Sequence, residues 1–240
     1  MITAGPKLRA RRFLADQSGL AMLEFALSLP VILTLGLAGV ELAHMALVTE
    51  RVNQIAMLTA DNAARVRDTI DETDVNQIMV GAKYVGQSID FASNGRIILS
   101  DVQNNPINTG QWIRWQRCAG AKNVASSYGV ENDGQTDASI PAIGPTGNKI
   151  AASAGSIVMF VEVVYDYQPI VPVTNYFGML PAGLFSSRQI RITQAFNVRQ
   201  RNPANDKDNL GVPLASPPSD ITNTTSLSNA NTASCATFSV

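Results

Sequence analysis

The chain has 240 residues, of which 45% are hydrophobic and 15% are charged, and its net charge is −1. A chain of this length holds one domain of ordinary size with additional segments. The lack of a basic excess argues against nucleic-acid binding. The charge is uneven, because residues 1–19 contain four Lys/Arg and one acid, whereas the rest contains fourteen Lys/Arg and eighteen acids. A basic leader ahead of an apolar run predicts a membrane protein that keeps its leader in the cytoplasm.

Few residues in this chain can hold a metal ion or form a covalent crosslink. There are two cysteines, Cys118 and Cys235, and one histidine, His44. On the exported side of a membrane the cysteines would form a disulfide that ties down the tail, whereas in a reducing cytosol they would be two free thiols. The acidic run E-N-D-G-Q-T-D at 131–137 does not fit the register of an EF-hand calcium loop, and it indicates a solvated turn. No metal site and no cofactor are predicted.

The first predicted element is a transmembrane helix. The run from Leu20 to Val40 contains one ionisable residue, Glu24. Twenty-one helical residues span roughly 31 Å, about the thickness of one hydrocarbon core. Pro30 lies inside the run, where a membrane helix tolerates it better than a soluble helix does. The segment predicted to lie in the membrane is 20–42.

The apolar pattern continues beyond this segment with the spacing of an amphipathic helix. Apolar or small residues recur every three or four positions at Val48, Val52, Ile55, Thr59, Ala63, Val66 and Ile70. Neither glycine nor proline occurs within residues 40–70, so the simplest prediction is one continuous helix from about Leu20 to about Arg67. The acidic stretch that begins at Asp71 then offers an N-cap for a second helix. Its predicted apolar face consists of Val75, Ile78, Met79, Ala82 and Val85.

The later half of the chain has the composition of β-strands separated by loops. Four segments are rich in β-branched and aromatic residues, namely 96–102, 111–117, 156–167 and 188–198. A turn-rich link at 104–110 predicts that the first two strands form a hairpin. Residues 119–150 and 169–185 are predicted to be long loops. From Asn202 onward the polar composition is typical of an extended tail.

Together these elements predict an α+β fold in which a long N-terminal helix lies against a small antiparallel sheet. The apolar stripe on the soluble half of that helix has to be covered, and one face of the sheet is the available cover. The predicted organisation is a basic cytoplasmic leader at 1–19, a transmembrane helix at 20–42, a single globular head at 43–200 and a polar tail at 201–240.

Several sequence blocks resemble a known family. The block G-L-A-M-L-E-F-A-L-S-L-P-V-I-L at 19–33, with Gly19 before the apolar run and Glu24 inside it, resembles the processing site of type IV pilin-like proteins. The further blocks are A-D-N-A-A-R at 60–65, W-Q-R-C at 115–118, S-S-Y-G at 126–129 and F-V-E-V-V-Y-D-Y-Q-P at 160–169. Together they resemble the TadE/TadG-like pseudopilins of the tight-adherence (Flp-type) pilus assembly system. The length of the chain favours the TadE-like members, and Phe25 stands where the Flp-type motif has tyrosine.

The resemblance implies a pilin-like fold and cleavage by a prepilin peptidase between Gly19 and Leu20. Glu24 would then lie one helical turn from the new amino terminus, close enough to pair with an ammonium group of its own or a neighbouring chain. A carboxylate at the centre of a membrane helix costs on the order of 2.5–3.5 kcal/mol, so such a pair would favour docking of subunits. The implied partners are the peptidase, other pilins and pseudopilins, and pilus assembly platform proteins. The implied location is the bacterial inner membrane, crossed once, with the N-terminus cytoplasmic and the head periplasmic.

The predicted function is therefore that of a non-enzymatic pseudopilin or minor-pilin-like subunit in Tad pilus biogenesis and secretion. One alternative is an uncleaved single-pass scaffold protein of the same apparatus. A second is a Sec signal peptide with a small-x-small cleavage site at Gly36-Leu37-Ala38, although Glu24 and Pro30 interrupt the apolar run that such a signal requires. The chain contains no G-x-S-x-G, Walker A, Rossmann or H-E-x-x-H motif, so a membrane-anchored or Sec-exported periplasmic enzyme is a lesser alternative.

Overall fold

The structure is a computed structural model. It describes residues 18–65, 70–105, 109–153, 156–170, 188–198, 233–236 and 238. Most of the predicted leader, most of the predicted loop between the last two strands and most of the polar tail therefore lie outside the described residues. The chain divides into two compact units, one formed by Met1–Ala46 and Pro169–Ser186 and the other by Leu47–Gln168 and Ser187–Val240.

One helix, α1, runs from Ser18 to Arg65. It confirms the predicted continuous helix, and Pro30 is accommodated in its interior. In the second unit its predicted buried stripe is also confirmed, because Val48, Val52, Ile55, Thr59 and Ala63 are all buried there. Val66 lies outside the described residues. Ile70 is buried beyond the end of the helix.

The second helix, α2, runs from Glu72 to Val85 and begins at the predicted N-cap. The backbone N–H of Asp74 donates to Oδ1 of Asp71 at 2.8 Å, and the backbone N–H of Asp71 donates back to Oδ2 of Asp74 at 3.3 Å. This capping box satisfies two amide groups that the first turn of a helix leaves unpaired. The buried residues of α2 are Glu72, Val75, Met79 and Ala82, whereas Ile78 and Val85 of the predicted face are half-buried.

Two short helical elements lie between α2 and the first strand, in a stretch for which the sequence predicted no element. A 3₁₀ turn spans Gln87–Ile89, and a one-turn helix, α3, spans Phe91–Asn94. Phe91 is fully buried between two glycines. A Cβ atom at Gly86 would lie 2.4 Å from the Cβ of Phe91, and one at Gly95 would lie 2.4 Å from its ring. These glycines therefore make room for an aromatic anchor and do not simply end the helical region.

The four predicted strands are confirmed as one antiparallel sheet. Its strands are β1 (Gly95–Asn104), β2 (Gln111–Ala119), β3 (Ile157–Asp166) and β4 (Gln189–Asn197), in the spatial order β2-β1-β3-β4. The predicted hairpin is β1 with β2, which pair in antiparallel fashion. Side chains of β4 alternate between the two faces of the sheet, so its even-numbered residues share one face.

Both faces of the sheet are covered. On one face, the Nε2 of Gln194 in β4 donates to the Oδ1 of Asn53 in α1 at 2.9 Å. On the other face, a core cluster combines four strand residues with two residues of the long loop between β2 and β3. Its members are Val102, Ile113, Val158 and Phe160 from the strands and Ile143 and Ala152 from the loop. The segment predicted only as a loop is therefore a covering layer, which explains why β1 and β3 are buried almost without alternation.

Candidate functional site

The described part of the first unit is the portion of α1 before Leu47 together with Pro169 and Ile170. This portion of α1 exposes large apolar side chains in every direction. Met22, Leu27 and Leu35 have 78%, 70% and 69% of their surface exposed. Among the described residues, the stretch Gly19–Arg65 is the one helix long and apolar enough to cross a membrane, and none of its most apolar window is buried. A helix that is apolar all round suits lipid, whereas a helix on a protein core is apolar along one stripe.

Two hydroxyl groups of this segment donate hydrogen bonds to carbonyl oxygens of the same helix. The hydroxyl of Ser28 donates to the carbonyl oxygen of Phe25 at 3.0 Å, and the hydroxyl of Thr34 donates to that of Pro30 at 2.7 Å. Such bonds let hydroxyl groups enter hydrocarbon without an unpaired donor. Glu24 is then the one ionisable residue between Leu20 and Val40.

The residues predicted to form the processing site lie together at the start of α1. Gly19, Leu20 and Glu24 are all exposed on this helix, and Leu20 and Glu24 are one turn apart on the same face. A Cβ atom added to Gly19 would meet nothing within 4 Å. The packing of the chain therefore does not require glycine at this position, and a requirement for it would have to come from a molecule that binds there.

At its far end the apolar segment carries two ionisable residues, Glu41 and His44. Glu41 is 3% exposed and His44 is half-buried, while the apolar Leu42 and Leu47 remain exposed. The two ionisable side chains therefore lie on the less exposed side of the helix, and the apolar side chains of Leu42 and Leu47 lie on its exposed side. The exposed apolar surface extends to Leu47, about five residues beyond the predicted end of the membrane segment at 42.

The head holds the end of the tail through a disulfide and several polar contacts. Cys118 in β2 is bonded to Cys235, and the backbone N–H of Cys118 donates to the carbonyl oxygen of Ala233 at 2.7 Å. The buried guanidinium of Arg96 donates to the carbonyl oxygen of Cys235 at 2.8 Å and lies 4.2 Å from the ring centre of Phe238. Burial lowers the pKa of Arg96. Nothing in the local sequence marked this arginine, because its partners are distant in the chain.

A second arginine, Arg117, connects β2 to α2 and to the long loop. It donates to Glu72 at 2.8 Å and to Glu131 at 3.0 Å. Most residues of the acidic run at 131–137 are exposed, as predicted for a solvated turn, and Glu131 in addition pairs with Arg117. Asp133 accepts a hydrogen bond from the backbone N–H of Val130 at 2.8 Å, and hydrogen bonds from Ser139 lower the pKa of Asp137. The part of the chain that the structure describes contains no group of three or more His, Cys, Asp or Glu side chains able to hold a metal ion.

Three of the blocks that carry the family resemblance meet inside the head. The fully buried carboxylate of Glu162 in block 160–169 accepts hydrogen bonds from the hydroxyl of Ser126 at 2.9 Å and from the backbone N–H of Ser127 at 3.1 Å, and pairs with Arg191 of β4. The ring of Tyr128 packs edge-on against that of Phe160, with centroids 5.2 Å apart. The third block contributes Gln116, whose Nε2 donates to the carbonyl oxygen of Gly129 at 3.1 Å. These blocks therefore hold the loop layer on the sheet.

No protein-family model matches this chain, and no curated protein and no solved structure matches it. The described residues show two features on which a functional proposal can be based. One is a membrane-length apolar helix with a single acid near its start. The other is a compact head whose buried charges bind its own loop and tail.

Proposed function

We propose that this protein is a membrane-anchored, TadE-like pseudopilin that acts as a structural subunit in Tad (Flp-type) pilus biogenesis and secretion. The observation that carries the proposal is the single helix α1, which exposes apolar side chains all round before Leu47 and packs one stripe into an α+β head after it. A subunit of this kind is held in the membrane by the first part of the helix. It presents the head through the second part.

The start of α1 supports a processing role. Gly19 is not required by packing, and Glu24 lies one turn after Leu20. Cleavage between Gly19 and Leu20 would remove the basic leader and create an ammonium group near the Glu24 carboxylate. Pairing of these charges offsets the cost of a carboxylate in lipid, and an incoming subunit can supply either partner.

The head supports a location outside the cytoplasm. A disulfide joins Cys118 to Cys235, and such bonds persist in oxidising compartments such as the periplasm. The excess of Lys and Arg in the leader favours a cytoplasmic N-terminus. We therefore assign one passage through the bacterial inner membrane, with the head in the periplasm. Its partners are a prepilin peptidase, other pilins and pseudopilins, and the pilus assembly platform.

The buried polar groups of the head support a structural role. Glu162, Arg96 and Arg117 each bind groups of the loop, the tail or α2. Charges engaged in this way stabilise a surface that can be presented to other subunits. The uncleaved scaffold protein of the same apparatus is the second candidate, since α1 anchors a head in the same way without cleavage.

The mature amino terminus tests the proposal. The protein is expressed in a cell that has the prepilin peptidase, and the intact membrane protein is analysed by mass spectrometry. We expect a chain that starts at Leu20 and a Gly19→Ala variant that keeps its leader. Gly39→Ala is the matched control, because a Cβ atom there also meets nothing within 4 Å, and it should be processed normally.

The other outcomes separate the alternatives. A wild-type chain that starts at Met1 in the presence of active peptidase would favour the uncleaved scaffold. A chain that starts at Gly39 would identify a Sec signal peptide and remove the basis for the pseudopilin proposal.

A further inference from the structure

A cavity beside the disulfide gives unequal access to its two cysteines. The cavity has a volume of about 410 Å³ and lies between β2, the long loop and the end of the tail. Its walls include Arg117 of β2, Val130 and Glu131 of the loop, and Cys235 of the tail. Cys235 is half-buried, whereas Cys118 is 5% exposed within β2. An incoming group can therefore reach Cys235 through the cavity, while the packed strand encloses Cys118.

Access decides which sulfur of a disulfide is attacked. An incoming thiolate forms a new S–S bond with one sulfur and displaces the other sulfur as a thiolate. The rate of this exchange depends on which sulfur the thiolate can reach. Because Cys235 lines the cavity and Cys118 is enclosed in the strand, attack at Cys235 is favoured. Cys118 is then the cysteine that leaves.

The buried guanidinium of Arg96 lies beside the cysteine that leaves. Ile98 pairs with Cys118 across the sheet and is two residues from Arg96 along β1, so Arg96 and Cys118 share one face. The Nη2 of Arg96 donates to the carbonyl oxygen of Cys235 at 2.8 Å. A positive charge near a cysteine favours its thiolate form. Arg96 therefore makes Cys118 a better leaving group in the exchange.

Contacts on both sides of Cys235 hold the end of the tail in addition to the disulfide. Before it, the carbonyl oxygen of Ala233 accepts from the N–H of Cys118 at 2.7 Å. After it, the ring of Phe238 lies 4.2 Å from the guanidinium of Arg96. These contacts keep Cys235 near Cys118 after the bond between them opens. The same geometry therefore serves to open the disulfide and to form it again.

The charges of the cavity wall indicate which class of thiol it receives. The guanidinium of Arg117 pairs with Glu72 at 2.8 Å and with Glu131 at 3.0 Å, so two carboxylates surround one positive charge. This balance gives no attraction to an anionic small thiol such as glutathione. It favours a protein thiol, which binds through a larger surface.

We propose that the Cys118–Cys235 disulfide is exchangeable, and that the cavity is the site where a thiolate of a dithiol oxidoreductase attacks Cys235. This site is distinct from the membrane helix. The proposal does not depend on cleavage after Gly19 or on a pilus.

The exchange has two steps. In the first, a sulfur of the oxidoreductase bonds to the sulfur of Cys235, and Cys118 leaves as a thiolate that takes a proton from water. In the second, the other thiolate of the oxidoreductase attacks its own sulfur in the mixed disulfide and releases Cys235 in the same way. The oxidoreductase is left with an internal disulfide, and this chain has gained two electrons and two protons. The reverse sequence, with an oxidised partner, forms the Cys118–Cys235 bond.

A trapped mixed disulfide tests which cysteine is attacked. The full-length oxidised protein in detergent is mixed with a thioredoxin whose second active-site cysteine is replaced by serine, so that the first intermediate accumulates. After an acid quench and alkylation, peptide mass spectrometry identifies the linked cysteine. We expect thioredoxin on Cys235, with Cys118 alkylated, in about tenfold excess over the reverse product.

The chain unfolded in urea is the control for this experiment. Both cysteines are then accessible, so the two mixed disulfides should form in similar amounts. Equal amounts in the folded protein, an excess of the Cys118 product, or no mixed disulfide at all would overturn the proposal. Opening by glutathione as fast as by wild-type thioredoxin, at equal thiol concentration, would contradict the assignment to a protein thiol.

A large side chain in the cavity tests the route of attack. Val130 is 49% exposed at the cavity wall, and Val80 is 62% exposed on α2. Val130→Trp fills part of the cavity and should slow opening by wild-type thioredoxin about tenfold or more. Val80→Trp adds the same side chain elsewhere and should open at the wild-type rate.

Near-ultraviolet circular dichroism of the oxidised variants checks that each head is folded. A folded Val130→Trp protein that opens at the wild-type rate would contradict the proposal. If Val130→Trp does not fold, the position of the trapped mixed disulfide still decides the matter.

Discussion

The two parts of α1 are continuous in the chain yet have opposite surfaces. Before Leu47, side chains such as Leu27 and Leu35 are exposed, and after it Val52 and Ile55 are fully buried. Both parts are rich in apolar residues, so apolar content does not distinguish them. Their pattern does, because the first part is apolar all round and the second is apolar along one stripe. The pattern of the first part suits contact with lipid, and the pattern of the second part suits packing against a protein core.

The largest expected effect comes from breaking the buried stripe. Ile55→Ala should destabilise the head by about 2–5 kcal/mol, since it leaves a cavity in a packed core. Leu35→Ala is the matched control in the exposed part, and it should leave the stability of the head within about 0.5 kcal/mol of wild type. Chemical unfolding of the full-length protein in detergent, followed by near-ultraviolet circular dichroism, measures both. Equal losses for the two variants would show that the parts of the helix are not distinct.

A charge in the exposed part should act on the membrane and not on the head. Leu35→Lys should make insertion less favourable by about 3 kcal/mol, the cost of a lysine near the centre of a membrane helix. Met57→Lys places the same charge on a partly exposed position of the second part, and it should insert normally. The fraction of protein that stays in membranes after alkaline carbonate extraction reports insertion. Normal retention of Leu35→Lys would show that the exposed surface does not lie in lipid.

The capping box of α2 lies in the head, so its removal should change the stability of the head and leave membrane insertion unchanged. Asp71→Ala removes the acceptor for the N–H of Asp74 and should lower head stability by about 1 kcal/mol. Thr73→Ala changes an exposed residue in the same turn and serves as the control. Membrane retention of both variants should equal that of wild type. The same unfolding assay checks the difference, and no difference between the variants would mean that the cap does not stabilise the head.

The smallest expected effect is a pH dependence that also belongs to the head. Burial, with smaller effects of Asp90 and Asp166, raises the pKa of Tyr165, whose hydroxyl donates to the carbonyl oxygen of Ile89 at 2.7 Å. The unfolded chain therefore loses this proton at a lower pH than the folded head. The contribution is complete below about pH 10, the pKa of an unperturbed tyrosine, and is lost as the pH rises through the folded pKa.

Tyr165→Phe should therefore cost about 1 kcal/mol at neutral pH and make head stability less sensitive above about pH 10. Unfolding curves at pH 7 and pH 10.5 measure both effects. Tyr84→Phe, at an exposed position of α2, is the control. An unchanged alkaline loss in Tyr165→Phe would assign that loss to other groups.

Local patterns were sufficient to predict most of the fold. The spacing of apolar residues predicted α1, and β-branched composition predicted all four strands, because both depend on neighbours in the sequence. The α3 turn was missed because its anchor, Phe91, is a single aromatic residue between glycines. The covering role of the loop was missed because Ile143 and Ala152 are isolated among polar and small residues. Their burial depends on contacts with strands that are distant in the chain.

The same distinction applies to the candidate site. Gly19, Leu20 and Glu24 lie close together in the sequence, so their pattern could be recognised without the structure. The buried carboxylate of Glu162 and the partners of Arg96 come from separate segments, and no spacing rule connects them. The position of β4 as the last strand of the described sheet depends on the order of the strands. That order is a property of topology, and the strand sequence does not contain it.

Spin labels along α1 test the central claim most directly, namely that one helix passes from lipid into the core of the head. Labels are attached at Leu27→Cys, Leu35→Cys and Arg51→Cys in the full-length protein in vesicles, while the native cysteines stay bonded to each other. We predict that labels at 27 and 35 collide readily with oxygen, which concentrates in lipid, and rarely with a water-soluble nickel chelate. The label at the exposed position 51 should show the reverse. Equal nickel accessibility at all three positions would place the first part of α1 in water and contradict the account.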